Sequence, residues 1–325
     1  MRTHWLMHRQ RAILTILAAA AAGTAATLAL RAVAFRRYRS LLDARPDLGP
    51  DGVIAGGGAI DLAAPRDARD DRAALLLHGF GDTPQSMAYL AGYLQAAGWA
   101  VRAPLLPGHG RTVRHFAASR ADAWIAHART ELAELRRRHA RVAVVGQSMG
   151  GAIAAMLAAE QPAPEALVLL APYLAMPAHL RHLSRAHALW SLVLPFVASG
   201  GTNSIFDDVE RARSLAYGVV SGRLLAELRT VVERARAALP NVTPPTLVVQ
   251  SRRDHRIAPG ACERAVARIG ARRTQLVWLN EGGHVLTVDR GRERVFALVA
   301  AWLDAELART QGAREVAATG GRAII

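Results

Sequence analysis

The sequence predicts an α/β fold: a mostly parallel sheet with helices on both faces and a helical insertion. Three observations carry this. Short apolar runs, among them Ala73–Leu77, Arg141–Val145, Ala166–Leu170, Thr246–Gln250 and Gln275–Leu279, alternate with helix-period segments. Such runs suit strands buried on both faces, as in a parallel sheet. The run at Arg141–Val145 leads into Gly146-Gln147-Ser148-Met149-Gly150 and then a helical stretch near Met149–Glu160. Finally, Ser148, Asp254, His284 and the His78-Gly79-Phe80 segment all follow the carboxyl ends of apolar runs, where open α/β sheets bind ligands.

Taken in order, residues 1–45 form an N-terminal membrane anchor or signal segment. Arg2, Arg9 and Arg11 precede the uncharged run Ala12–Leu30, and Arg31, Arg36, Arg37 and Arg39 follow it. As a helix this run nearly matches the hydrocarbon thickness of a bilayer. An uncleaved anchor is expected. The alternative is export with cleavage after Ala32-Val33-Ala34, a small-x-small site that Arg31 crowds. Basic residues flank both ends, so they do not orient the segment.

Residues 46–71, rich in Gly, Pro and Asp, read as a linker with an edge hairpin around Gly52–Leu62. Gly56-Gly57-Gly58 has no helix signal after it and is not a nucleotide loop. The main domain, residues 72–310, opens with the Ala73–Leu77 strand. Pro84–Ala97 follows as a helix, Trp99–Leu105 as a strand and Ala121–His139 as a helix. From 172 to 245 the alternation stops; the segment has helical stretches and no clear strand. Inserted between strand ends, it would lie above the sheet as a lid. Glu293–Leu307 closes the domain as a helix, and residues 311–325 read as a disordered tail.

The chemistry centres on Ser148. A serine on a strand-to-helix turn presents its hydroxyl above the sheet, and the helix N-terminus favours a developing negative charge there. A hydroxyl is a weak nucleophile and needs a base, which in turn needs an orienting acid. His284, in the turn Gly282-Gly283-His284 after the last strand, is the best base among the 12 histidines. Asp254, after the Thr246–Gln250 strand, is the best acid; Asp289, Asp207 and Asp208 are weaker alternatives. The backbone N–H groups of Phe80 and Met149 are the expected oxyanion donors. In the insertion, Leu189–Val197 is almost wholly apolar, which makes Trp190 and Phe196 candidates for contact with substrate. His109, in Pro107-Gly108-His109-Gly110, reads as a turn brace.

The net charge is +15, and all 41 basic residues are arginine. They are spread along the chain without interleaved aromatics, which argues against nucleic acid and favours an anionic membrane surface. Cys262 has no second cysteine to pair with and no metal-ligand spacing around it, and reads as structural.

As a set, these motifs resemble the α/β-hydrolase superfamily. They are most similar to its bacterial carboxylesterase and monoacylglycerol-lipase-like branch, also described as serine aminopeptidase-like hydrolases. The residues that carry the likeness are Leu75-Leu76-Leu77-His78-Gly79-Phe80, Pro107-Gly108-His109-Gly110, Gly146-Gln147-Ser148-Met149-Gly150-Gly151, Asp254 with Ile257 and Pro259, and Gly283-His284. Asp122 and Trp124 fit the same branch. The likeness covers about residues 72–308. It implies a serine hydrolase acting through an acyl-serine on small-molecule, lipid-like esters, with no metal and no cofactor; residues 1–45, which carry the expected membrane association, lie outside it. An acyltransferase, a serine aminopeptidase and a non-catalytic binding protein are the competing readings. The first would differ in acceptor, the second would need a carboxylate for the substrate ammonium, and the third would lack a triad member.

Overall fold

Strand β2 (Arg72–Leu77) sets the pattern for the whole sheet. Its side chains alternate between two apolar layers, Ala73, Leu75 and Leu77 on one side and Ala74 and Leu76 on the other. Strand β4 (Arg141–Gln147) repeats this with Val142 and Val144 against Ala143 and Val145. Side chains in a strand point alternately to opposite faces, so a sheet of such strands must be covered twice. The computed structural model describes residues 2–43, 48–66, 68, 71–199 and 204–320. Within them, seven strands form one sheet in the order β1-β3-β2-β4-β5-β8-β9. The remaining members are β1 (Ile60–Leu62), β3 (Ala100–Ala103), β5 (Leu167–Leu170), β8 (Thr246–Ser251) and β9 (Thr274–Leu279). Every neighbouring pair is parallel except β1 with β3.

One face is covered by α2 (Ala88–Ala96) and α11 (Arg292–Gly320), whose Leu90, Leu94, Phe296 and Leu303 join the layer of Leu76 and Val145. The other carries α4 (Ala121–Arg138) and α5 (Met149–Ala158). All of α5 is buried, four of its ten residues being alanine and two glycine. Small side chains let it lie between the sheet and α9 (Gly222–Ala238), which packs over it.

Several expectations are corrected. Residues Ile60–Leu62 are not half of a local hairpin; they pair antiparallel with β3 at the sheet edge, and Leu48 bridges Ile54 separately. The segment 172–245 contains helices α6 (Ala178–Arg185), α7 (His187–Trp190), α8 (Asp208–Arg213) and α9, but also two strands. These are β6 (Val197–Ala198) and β7 (Val219–Val220), an antiparallel pair too short to show a period-2 pattern. Helix α11 continues past Leu307 to Gly320, so residues 311–320 are helical where a disordered tail is expected; 321–325 lie outside the described residues. The boundary expected at residue 45 also lies outside them. Helix α1 (Arg2–Asp43) contains the stretch Arg11–Arg36, which is long and apolar enough to cross a membrane and has mean hydropathy 2.0.

Candidate active site

Ser148 follows β4 and precedes α5 with φ 55° and ψ −115°. This is left-handed backbone that a residue with a side chain occupies only at a cost of order 1–3 kcal/mol. Two glycines make the turn possible. A Cβ on Gly146 would overlap the Gly150 carbonyl, and one on Gly150 would overlap the Leu77 carbonyl. The Ser148 N–H donates to the Leu170 carbonyl at 2.9 Å, so the residue stays tied to the sheet while its side chain leaves it.

His284 reaches Ser148 from the loop after β9. Its Nε2 lies 2.7 Å from Ser148 Oγ, and its Nδ1 lies 2.8 Å from Asp254 Oδ2. An ionised carboxylate only accepts, so the Nδ1–H donates to Asp254 and Nε2 is left to accept the Ser148 hydroxyl proton. Burial raises the Asp254 carboxyl, but the hydrogen bond and charge of His284, with the Arg256 N–H and Gln250, outweigh it and hold the group below the usual carboxylate range. Oδ2 also accepts from Gln250 Nε2 at 2.8 Å, while Oδ1 accepts from the backbone N–H groups of Arg256 at 2.6 Å and Ile257 at 3.2 Å.

The loop bearing His284 is held from three sides. Gln147 Nε2 donates to the His284 carbonyl at 2.7 Å, which joins the end of β4 to the His284 loop. The His284 N–H donates to the Ser204 carbonyl at 2.8 Å. The third hold is Asp289, whose buried carboxylate accepts from the N–H groups of Gly283 (2.6 Å), Phe206 (2.9 Å) and Asp207 (2.9 Å). It therefore ties the His284 loop to the segment 172–245. Asp289 is not the triad acid; its role depends on backbone donors that no local sequence pattern marks. The same applies to Gln147, Gln250 and Ser204, which sequence reading passes over.

The loop after β2 packs against Ser148: a Cβ on Gly79 would lie 3.5 Å from Ser148 Cβ. Met149 opens α5, so its N–H has no acceptor within the helix, and neither it nor the Phe80 N–H donates to another group among the described residues. His78 is fully buried. Its Nε2 accepts the Leu106 N–H at 3.1 Å, and its Nδ1 lies 2.9 Å from the Gly79 carbonyl. Burial lowers its pKa to about 4, so it is a neutral brace for this loop. His109 is likewise buried and braces its turn, with its ring 4.7 Å from Phe116 and 5.5 Å from Trp124. Trp124 Nε1 donates to the Pro107 carbonyl at 3.0 Å. Cys262 is buried beneath the sheet, and burial pushes its thiol up to about 12.

A cavity of about 690 Å³ opens over Ser148 and His284. The insertion supplies much of its apolar wall, including Leu180, Leu183, Val219, Leu225 and Leu228. Two carboxylates, Asp82 and Glu210, also line it. Burial raises Asp82 to about 6. Trp190 and Phe196 do not line the cavity. The indole of Trp190 rests over Gly222, where only a missing side chain leaves room, and its Nε1 donates to the Leu183 carbonyl at 2.9 Å. Phe196 packs against the apolar layer under the insertion. Among the described residues no group of three or more His, Cys, Asp or Glu side chains is arranged to hold a metal ion.

The chain is 28% identical over 215 residues to a thermostable monoacylglycerol lipase of Bacillus sp. (strain H-257), covering 66% of this chain and 83% of that protein. It is 24% identical over 232 residues to a carboxylesterase of Bacillus subtilis (strain 168), covering 69% and 89%. A solved structure described with two metagenome-derived lipolytic enzymes, LipS and LipT, superposes with TM-score 0.70 at 28% identity, covering 78% of this chain and 99% of that one. The family model described as serine aminopeptidase, S33, matches residues 68–291. With that match spanning most of the chain and the parallel sheet carrying Ser148 at the end of β4, the chain belongs to the serine aminopeptidase S33 family of the α/β-hydrolase superfamily.

Proposed function

We propose that this protein is a serine hydrolase that cleaves carboxylic esters of apolar, lipid-like acids through an acyl-serine intermediate. The observation that carries this is the continuous relay Asp254–His284–Ser148, with links of 2.8 and 2.7 Å. Ser148 Oγ attacks the ester carbonyl as His284 Nε2 takes its proton. The charge that develops on the imidazolium is stabilised by Asp254, and that on the carbonyl oxygen by the N–H groups of Phe80 and Met149. His284 then gives its proton to the leaving alcohol. Water, activated by the same histidine, releases the acid and restores the serine.

The apolar wall of the cavity supports an acyl site for lipid-like chains, as do the names of the relatives, a monoacylglycerol lipase and a carboxylesterase. The segment 172–245 serves as the lid, supplying that wall from above Ser148. The helix Arg2–Asp43 serves as an uncleaved membrane anchor for the domain at 72–310, supported by its apolar stretch.

A peptidase reading has one observation behind it: Asp82 and Glu210 place carboxylates in the cavity. Glu210 is already engaged, 3.5 Å from Arg213 and 3.4 Å from Arg292, and accepts from the Tyr89 hydroxyl at 3.0 Å. Asp82 is buried, and its Oδ1 already accepts the Thr83 N–H at 2.8 Å. Neither is poised for a substrate ammonium, and the ester reading stands ahead.

The test is turnover of p-nitrophenyl butyrate beside alanine p-nitroanilide. Ser148→Ala and His284→Ala should each lower ester turnover by about 10⁴–10⁶, and the double variant by no more than the worse single one, since the residues act as a unit. Asp254→Asn should cost less than Ser148→Ala. A folded Ser148→Ala protein with full activity removes the assignment; preference for the anilide selects the peptidase. Added glycerol, with product analysis, separates hydrolysis from acyl transfer.

A further inference from the structure

Arg256 stands out among the side chains that line the cavity. It is two residues beyond Asp254 and lines the same cavity as Ser148 and His284. Its Nε donates to Ser204 Oγ at 2.9 Å, the one hydrogen bond its side chain makes among the described residues. No carboxylate among them lies within ion-pair distance of it. Arg213, on the same cavity, is balanced by Glu210 at 3.5 Å. Asp254, the nearest acid in sequence, has both oxygens engaged by His284, Gln250 and two backbone N–H groups. The guanidinium is also half-buried, and burial lowers its pKa despite the nearby Tyr173 and Asp254. A partly desolvated cation with no carboxylate in ion-pair contact is costly. A guanidinium with both terminal nitrogens available is suited to bidentate contact with a carboxylate or phosphate. His179 and His255 line the same cavity and add no negative charge.

We infer that Arg256 forms an anion subsite beside the nucleophile, which selects ester substrates carrying a second, negatively charged group. The inference rests on the ester-hydrolase reading of Ser148 and deepens it. The shared chemistry is a carboxylate or phosphate within reach of the guanidinium. It is carried either on the acid side of the ester, as in a dicarboxylic half-ester, or on the alcohol side, as in a phosphorylated polyol ester. The backbone N–H of Arg256 that holds Asp254 is common to every variant at this position, so a side-chain change is separable from the triad.

The experiment measures kcat/KM with the full chain in neutral detergent for two matched pairs. The acid-side pair is p-nitrophenyl hydrogen glutarate against p-nitrophenyl valerate. The alcohol-side pair is monooleoylglycerol phosphate against monooleoylglycerol. The readout is the anionic-to-neutral ratio, which cancels any loss shared by both substrates. Arg256→Met should lower the ratio at least about tenfold in one pair, as expected for losing a charge-assisted bidentate contact. The pair that responds identifies which side carries the anion. Arg256→Lys should recover part of the ratio, and Ser204→Ala, which removes the brace but keeps the charge, should lower it less than Arg256→Met. A fall below tenfold in both pairs, or a Ser204→Ala effect equal to that of Arg256→Met, overturns the subsite in favour of a structural role. A direct arm needs no turnover: inorganic phosphate or glutarate should bind Ser148→Ala protein in calorimetry and fail to bind Ser148→Ala/Arg256→Met. Equal binding by both overturns the inference. If none of the four esters is turned over, the ester reading itself fails, and calorimetry still decides the subsite.

Discussion

The ring of His284 is positioned by the Asp254 carboxylate at 2.8 Å, and its backbone by Gln147 and Ser204. Of these, the sequence makes legible the chemistry-bearing residues and little of their support. Ser148, Asp254 and His284 are readable because glycine-flanked turns and strand ends single them out. Asp289 reads as a spare acid, and only the fold brings Phe206 and Gly283 to it from 83 and 6 residues away. Asp82 is a residue whose behaviour the sequence does not suggest. Its carboxyl is raised to about 6 by burial, although its Oδ1 accepts the Thr83 N–H at 2.8 Å. A carboxyl raised on folding contributes stability that is present below its unfolded pKa and lost as pH rises through the folded value. Asp82→Asn keeps the acceptor for Thr83 and has no charge to bury. It should raise the urea midpoint at pH 8, by an amount equivalent to about 1–3 kcal/mol, and by much less at pH 4.5. An equal gain at both pH values would show that ionisation of Asp82 is not the cost.

At the scale of elements, the core strands and α4 are legible because their apolar patterns are long and uninterrupted. β6 and β7 are not, since two residues carry no periodicity. The insertion misleads at Trp190 for a related reason. Its apolar run fits either a substrate wall or a packing layer, and the bare backbone at Gly222 decides for packing. The cavity wall belongs instead to residues such as Leu180, Leu183 and Leu228. Esters of medium and longer acids should therefore be cleaved better than acetates, each added methylene contributing up to roughly 0.8 kcal/mol, about fourfold in kcat/KM. Leu183→Trp, at the cavity rim, should shift the optimum towards shorter acids, and Trp190→Ala should shift it less. A chain-length series of p-nitrophenyl esters checks both. A flat series for the parent protein would remove the acyl site from this wall.

For the whole molecule, charge and the first helix act together. The chain carries +15, and Arg11–Arg36 offers a span with mean hydropathy 2.0. An apolar span resists salt, while surface charge is screened within about 8 Å at physiological ionic strength. The full chain should sediment with membranes in 1 M salt and be released by detergent. A mature N-terminus at Phe35 would instead identify a cleaved signal, and release by salt alone would identify electrostatic binding without an anchor. The overall architecture was readable at this scale because alternating strands and helices leave few topologies open. The antiparallel β1 was not, since its three residues take their pairing from β3.

The turn at Ser148 also sets a limit on how durable this protein can be. A serine at φ 55° stores strain at the buried junction of β4 and α5. Selection for turnover and selection for robustness thus pull on one dihedral angle in opposite directions. Ser148→Gly should release the strain, raising resistance to urea by about 1 kcal/mol or more relative to Ser148→Ala while both remain inactive. A glycine variant no hardier than the alanine one would place the strain elsewhere. If the gain is found, heat-tolerant forms of this enzyme must draw their tolerance from parts of the chain remote from the elbow, because relief there removes the reaction along with the strain.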